Sequence, residues 1–365
     1  MSPSVVLVTG ASRFVGGQLA VRLAADPEID RVLAVDTVPP GPELVRRMGR
    51  AEVVRADLRN PLIAKVISTA KVDTVVHAST SANPPDAGGY RSGRSTIKEM
   101  NVIGTMQLLA ACQKSATVTR LIVKSTGAVY GASPLDQAMF TERDEPNAIP
   151  ASGYAKDAVE IEGYIRGFAR RRDDVDVTVL RFASIIGPHV DTVLTRYFSL
   201  PVVPTVLGYD GRLQLLHEQD ALAVLERATR AGIPGVFNVG GDGVLLVSQA
   251  IRRLGRIPVP LPGPAVNAVG WLLHSAALID YAPEQTRFLN FGRVLDTTRL
   301  RSVAHSDDDH PVLHRGGRGD LPDDRRYHPD GSTAAHSVFA GDAVVPVARA
   351  TGNDPATVEV VHRVR

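Results

Sequence analysis

The sequence predicts an α/β fold, a doubly wound parallel sheet with a smaller C-terminal lobe. Three observations carry this. Short apolar runs alternate with helix-length segments from Val5 to Phe182. The first run ends in a glycine turn that opens a helix at Gly16, and the second ends in an acid, Asp36.

Val5 to Val8, bounded by Thr9-Gly10, reads as a buried strand entering a glycine turn, and Gly16 to Ala25 has apolar residues at helical spacing. Strand, turn and helix together present backbone N–H groups and a helix N-terminus to an anion. This is the first unit of a dinucleotide-binding, Rossmann-like domain. Arg31 to Asp36 is the second strand. An acid at its end accepts hydrogen bonds from the adenosine ribose and repels a 2′-phosphate, which favours NAD over NADP; its plainer role is to cap a turn.

The remaining elements follow in order. A Pro- and Gly-rich loop after Val38 leads to a short helix ending at Met48, and Ala51 to Ala56 is a third strand before Asp57-Leu58. Pro61 suits a first helical turn. Val72 to His77 is a fourth strand, and Thr80 to Arg94 a loop broken by Asn83-Pro84-Pro85 and Gly88-Gly89. Ser95 to Lys114 and Ser152 to Arg172 are helices, Arg120 to Lys124 and Val175 to Phe182 strands. Beyond, Pro188 to Leu200 and Asp220 to Ala231 read as helices, Arg212 to Leu216 and Gly235 to Val239 as strands. Ala265 to Ile279, with Trp271, is strongly apolar but too short, and too interrupted by Asn267, Gly270 and His274, to span a bilayer. It reads as a core helix or the wall of a substrate pocket, with a membrane-surface helix as the other reading. From Ser302 the helical periodicity stops, as in a low-order tail or a frame-shifted coding end. The expected division is 1–185 for the dinucleotide domain, 186–301 for the lobe and 302–365 for the tail.

A chain of 365 residues suffices for this plan, and its net charge of +2 gives no case for nucleic acid as the main partner. The single cysteine, Cys112, excludes an intramolecular disulfide and a cysteine-rich metal site, and no other metal ligand set stands out. No charged, apolar, then small-residue leader precedes the first strand, so a cytoplasmic protein is expected. Arginine far outnumbers lysine, and Lys156 is the last lysine, a bias of GC-rich genomes more than of function.

Taken together, the motifs resemble a family. They are Thr9-Gly10-Ala11 with Phe14-Val15-Gly16, Asp36, Asp57-Leu58, His77-Ala78, Asn101 with Gly104-Thr105, Ser125-Thr126 with Val129-Tyr130-Gly131, Lys156 with Glu160, Arg181 with Gly187-Pro188, His217 with Asp220, and Asn238 with Gly240. Their order and spacing resemble the extended short-chain dehydrogenases/reductases of the NAD-dependent epimerase/dehydratase family, nearest the actinobacterial UDP-glucose 4-epimerase type. The resemblance implies NAD, with NADP second, a nucleotide-sugar substrate and a homodimer built on the helices at Ser95–Lys114 and Ser152–Arg172. It implies cofactor contacts at Gly10, Ala11, Arg13, Phe14, Val15, Gly16, Asp36, Asp57, Leu58, Ala78, Ser79, Asn101 and Lys156. His77 reads as a structural histidine at a strand end.

The implied reaction is a hydride shuttle. A tyrosine hydroxyl whose pKa is lowered by a nearby lysine moves the proton of a substrate alcohol, and a Ser or Thr, here Thr126, bonds the reacting oxygen. Tyr and Lys normally stand four apart on one helix face. Aligning Lys156 with the family lysine puts Ser152 in the tyrosine position, while Tyr154 stands two residues before Lys156, about 200° away round a helix. Three readings follow: Tyr154 is repositioned and catalytic, Ser152 works in a relay with water or Thr126, or the chain binds dinucleotide without turnover. Arg13 replaces the middle glycine of the turn. Its planar fork suits a phosphate oxygen and can also reach a 2′-phosphate, while the plainer reading is a solvated arginine. Ser184 stands where the family has a phosphate-binding Asn, and Arg212 is the candidate diphosphate contact. Three functions are therefore carried forward: a nucleotide-sugar epimerase or dehydratase, a non-catalytic NAD(P)-binding regulator or scaffold, and an NAD(P)H-dependent reductase of an apolar ketone.

Overall fold

The structure is a computed structural model that describes residues 3–80, 97–147, 150, 153–266 and 283–305. Ser152, Trp271 and most of its apolar helix, the Pro- and Gly-broken loop before Arg94, and the chain from residue 306 lie outside the described residues.

Six strands form in chain order where the apolar runs stand: β1 Val5–Thr9, β2 Arg31–Asp36, β3 Glu52–Arg55, β4 Thr74–His77, β5 Arg120–Thr126 and β6 Asp176–Phe182. Between them run helices α1 Phe14–Ala25, α2 Pro42–Met48, α3 Leu62–Ala70, α4 Gly104–Lys114 and α5 Gly153–Arg171. One π turn, Glu99–Ile103, leads into α4. Shorter strands follow: β7 Ser184–Ile186, β8 Val202–Val206, β9 Arg212–Leu213, β10 Leu215–His217, β11 Gly235–Val239, β12 Leu245–Leu246, β13 Ile257–Leu261 and β14 Gly292–Arg293. With them run α6 Val193–Ser199, α7 Glu218–Ala231 and α8 Val247–Arg253.

The central sheet has seven strands in the order β11-β6-β5-β4-β1-β2-β3, every pair parallel. The chain winds outward from β1 through β3, then returns to β4 on the other side. The switch between β1 and β4 opens a crevice at the carboxyl ends of those strands. Side-chain alternation divides the core between the two faces. Val6 and Val8 pack with Leu19, Leu23, Leu222 and Leu225 of α1 and α7, while Leu7 and Val75 pack with Leu108, Ile165 and Phe168 of α4 and α5. Cys112 lies in that second core, where burial pushes its thiol up to about 12 and leaves it inert.

The seventh strand comes from the part of the chain expected to form the lobe: residues 235–239 pair with β6. The other late strands make small sheets, β10 with β7, β8 with β13, and β9 between β12 and β14. They close over a separate cluster of Tyr197, Phe198, Val203, Leu213, Val247 and Ile251.

Candidate active site

The cleft begins at Gly10. Its φ of +77° is left-handed, and a methyl there would stand 2.7 Å from Ser79 Cα, so the turn and the strand end opposite fit only around a glycine. A Cβ on Gly16 would collide with the Gly10 carbonyl oxygen. Arg13 caps α1 with its backbone only, leaving the first-turn N–H groups at Phe14 and Val15 for an anion. Ala11 is fully buried beneath the turn, and the Phe14 ring stacks on His189 at 5.8 Å.

Gly10, Arg13, Asp36, Asp57, Leu58 and Ser79 line one cleft that opens to solvent. Asp36 Oδ2 accepts the N–H of Ser12 at 3.0 Å and its hydroxyl at 2.6 Å, and Oδ1 accepts the N–H of Thr37 at 2.7 Å. The Arg59 fork on Asp57 holds that carboxyl below its ordinary range. Ala78 donates its N–H to Thr9 Oγ1 at 3.1 Å. Asn101 is buried in the π turn, with Nδ2 3.5 Å from Asp157 Oδ2.

His77 is the structural histidine the sequence suggests. Its ring bridges Thr9 Oγ1 at 2.9 Å and Thr105 Oγ1 at 2.8 Å, and burial, with Lys124 nearby, pushes it down to about 3. The unfolded chain therefore takes up this proton near pH 6.5 while the folded chain refuses it until about pH 3. Stability contributed by neutral His77 is full above pH 6.5 and falls by up to about 1.4 kcal/mol per pH unit as pH drops toward 3. His77→Gln should flatten that part of a plot of unfolding free energy against pH, measured by denaturant titration.

Thr126 closes β5 half-buried, its Oγ1 accepting the N–H of Ala128 at 3.2 Å. Tyr154 stands half-buried in the first turn of α5; desolvation pushes its hydroxyl up to about 12, against the pull of Thr80 and Arg13. Lys156 is exposed, while its neighbours Asp157 and Ala158 are buried. The structure therefore does not bring Lys156 beside Tyr154, because the two point to different sides of the helix. The inner stripe of α5 carries Tyr154, Ala158 and Glu162. Ala158 packs with Val129 and Tyr130, and Glu162, not Glu160, meets the core, where it pairs with Arg181 at 2.6 Å. Glu160 instead faces Lys98 at 3.8 Å.

Ser184 lies half-buried in β7 opposite Leu215, and Arg212 half-buried in β9 opposite Gly292. Two cations escaped the sequence reading. Lys124 Nζ donates to the Thr80 carbonyl at 2.9 Å, and the Thr80 hydroxyl donates back to the Lys124 carbonyl at 2.9 Å. Burial and Arg13 bring this lysine down to about 8. Arg293, next to Gly292, donates Nε to Gly131 O at 2.8 Å and lies against Gly127, beside Thr126; burial brings it down to about 10. Lys124 ends an apolar strand, a signal the sequence does carry; Arg293 sits in irregular sequence that carries none. Among the described residues no helix is long and apolar enough to cross a membrane.

A glycine turn at a switch-point crevice, with a carboxylate at the next strand end, defines a dinucleotide-binding protein of the Rossmann class. Residues 6–240 match the NAD dependent epimerase/dehydratase family model, and the chain belongs to that family. It is 55% identical over 299 residues to an uncharacterized protein of Mycobacterium tuberculosis, covering 82% of this chain and 78% of the relative. Its fold is similar to that of UDP-glucose 4-epimerase from Thermotoga maritima with UDP-glucose, at a TM-score of 0.62 and 20% identity over 82% of this chain and 91% of the other. It is likewise similar to UDP-glucuronic acid 4-epimerase from Bacillus cereus with UDP-glucuronic acid and NAD, at a TM-score of 0.61 and 18% identity over 84% and 95%.

Proposed function

We propose that the protein is an NAD-dependent epimerase/dehydratase-type oxidoreductase that acts on a nucleotide sugar by transient hydride transfer, with Tyr154 as its proton-handling group. The observation that carries this is the place of Tyr154 in the first turn of α5, where Thr80, at the strand end that flanks the glycine turn, and Arg13 act on its hydroxyl. Bound NAD would supply the hydride acceptor. Phe14 and Val15 N–H groups and the Arg13 guanidinium suit its pyrophosphate, Asp36 its adenosine ribose, and Asp57 with Leu58 its adenine. Asp36 repels a 2′-phosphate, which supports NAD over NADP.

On the substrate side, Thr126 donates to the reacting oxygen and Tyr154 takes or returns the proton of the sugar hydroxyl. Arg293 and Arg212 suit a diphosphate, and the similarity to epimerases holding UDP-sugars supports that class. Exposed Ile103, at the end of the π turn, and Met106, in the first turn of α4, are consistent with the homodimer on this helix pair.

One observation favours a non-catalytic binder instead: the inner stripe of α5 carries no cation near Tyr154. The test is to load the protein with NAD⁺ and mix it with UDP- and dTDP-sugars while following NADH absorbance. A transient that rises and decays is expected, and Asp36→Ala should weaken NAD⁺ binding by about 10- to 100-fold, the loss of a charged hydrogen bond. Tight NAD⁺ binding without reduction by any sugar would leave the binder. Net NAD(P)H consumption with an apolar ketone would leave the reductase.

A further inference from the structure

A buried carboxylate outside the groups already assigned holds an exposed imidazole. Leu215–His217 runs parallel beside Ser184–Ile186, so Glu218 and Gly187 leave that ladder side by side. Glu218 is 1% exposed, a charge taken almost wholly out of water, and such a charge needs close partners. Its Oε2 accepts the His189 N–H at 3.1 Å, and its Oε1 stands 2.7 Å from His189 Nδ1. Its place in the first turn of α7 adds the positive end of that helix. A methyl on Gly187 would collide with the carboxylate, so the loop is built around it.

The imidazole is the opposite case. The His189 side chain is 67% exposed, and its ring lies within 2° of parallel to the Phe14 ring, the centroids 5.8 Å apart. A carboxylate only accepts, so Nδ1 carries a proton toward Glu218 and Nε2 faces the other way. Among the described residues Nε2 has no hydrogen-bond partner. Pairing a buried carboxylate with a solvent-exposed ring stabilises the fold little in net terms, yet it fixes where Nε2 stands. β6 and β1 are parallel strands of one sheet, so the loop that follows β6 and β7 and the start of α1 share the edge at which the crevice opens. Phe14 is the first residue of α1, and its N–H is one of those left for an anion.

We propose that His189, oriented by Glu218, contacts the pyrophosphate of the bound dinucleotide through Nε2 and so ties the loop after β7 to the first turn of α1. Glu218 is a positioning residue that acts through the ring. Between a carboxylate and a pyrophosphate the ring is favoured as the cation, with both nitrogens donating. Binding therefore takes up a proton. The ionisable groups on the elements around the ring are His217, Glu218 and Asp220 at the start of α7, Arg13 at the cap of α1, and Asp191 on its own loop, which Arg196 of α6 engages at 2.7 Å. This inference rests on the reading of the glycine-turn cleft as the NAD site, and not on turnover of a sugar.

Calorimetry on the full chain tests this. His189→Ala should raise the Kd of NAD⁺ and of ADP-ribose about 10-fold, the share of one hydrogen bond to a charged group. UDP-glucose, whose diphosphate belongs to the substrate side, should bind wild type and variant alike. Titrations near neutrality in buffers of different ionisation enthalpy should show proton uptake with NAD⁺ in wild type, and His189→Ala should lose it. Glu218→Gln should weaken NAD⁺ about threefold, and His189→Ala/Glu218→Gln should bind NAD⁺ as His189→Ala does, because the carboxylate acts only through the ring. That double variant carries the affinity and proton tests should His189→Ala, with its stranded carboxylate, not fold. Unchanged NAD⁺ affinity or unchanged proton uptake without the ring overturns the proposal, as does a loss shared by or confined to UDP-glucose. So does a Glu218→Gln loss that persists once the ring is gone. If wild type binds no NAD⁺, the reading of the cleft falls and this proposal with it; if wild type binds and the variants match it, this proposal falls alone.

Discussion

Glu162→Ala is expected to lower unfolding free energy by about 3–5 kcal/mol, the cost of stranding a buried charge. The Glu162 side chain is 4% exposed and that of Arg181 9%. Glu162 accepts the Ser125 hydroxyl at 2.6 Å and two guanidinium nitrogens of Arg181, at 3.0 and 2.6 Å. Burial works against the Arg181 charge, yet Glu162 outweighs it and raises the guanidinium above its ordinary value. Arg181 in turn donates to Tyr130 Oη at 2.8 Å, and that hydroxyl donates to Asn238 at 2.8 Å. Removing Glu162 therefore unbalances a chain of contacts reaching from α5 through β6 to β11. The double variant Glu162→Leu/Arg181→Met should recover much of the loss, because no lone charge remains. Chemical denaturation checks both, and a single-variant loss below about 1 kcal/mol would mean that water reaches the pair.

Tyr154→Phe is expected to reduce the rate of the NADH transient by about 10²- to 10⁴-fold, while Lys156→Met leaves it within about threefold. The contrast separates two helix registers. If Lys156 works beside the cofactor, its loss should match that of the tyrosine. In the structure Tyr154 is half-buried, with Thr80 and Arg13 acting on its hydroxyl, and Lys156 is exposed, so the two losses should differ widely. NAD⁺ affinity, measured separately by calorimetry, should be nearly unchanged in Tyr154→Phe, which places the loss in kcat. Equal losses in both variants would return Lys156 to the site.

The sheet was legible because strands buried on both faces are written as unbroken apolar runs, and the Rossmann class because Gly10, Gly16 and Asp36 have few other uses at that spacing. The register of α5 was harder. Glu160 and Glu162 stand two residues apart, and either can follow a motif lysine. The apolar stripe through Ala158, Ile161, Ile165 and Phe168 does point to Glu162, but motif alignment weighs residue identity and not helical phase. Lys124 was passed over because it reads as a strand's polar end, and its partner Thr80 is 44 residues away in sequence. Contacts of that kind are made by topology, and local pattern does not contain them.

The pairing of residues 235–239 with β6 has a consequence for how the chain is made. The first six strands are synthesised in an uninterrupted series, but the sheet they form keeps an open edge at β6 until some fifty more residues have left the ribosome. During that interval β6 offers bare backbone donors and acceptors to any neighbour, including a second nascent copy. A gene fragment ending at residue 185 freezes that vulnerable stage permanently. Its product should accumulate in inclusion bodies, whereas a fragment extended through Val239 carries the strand that pairs with β6.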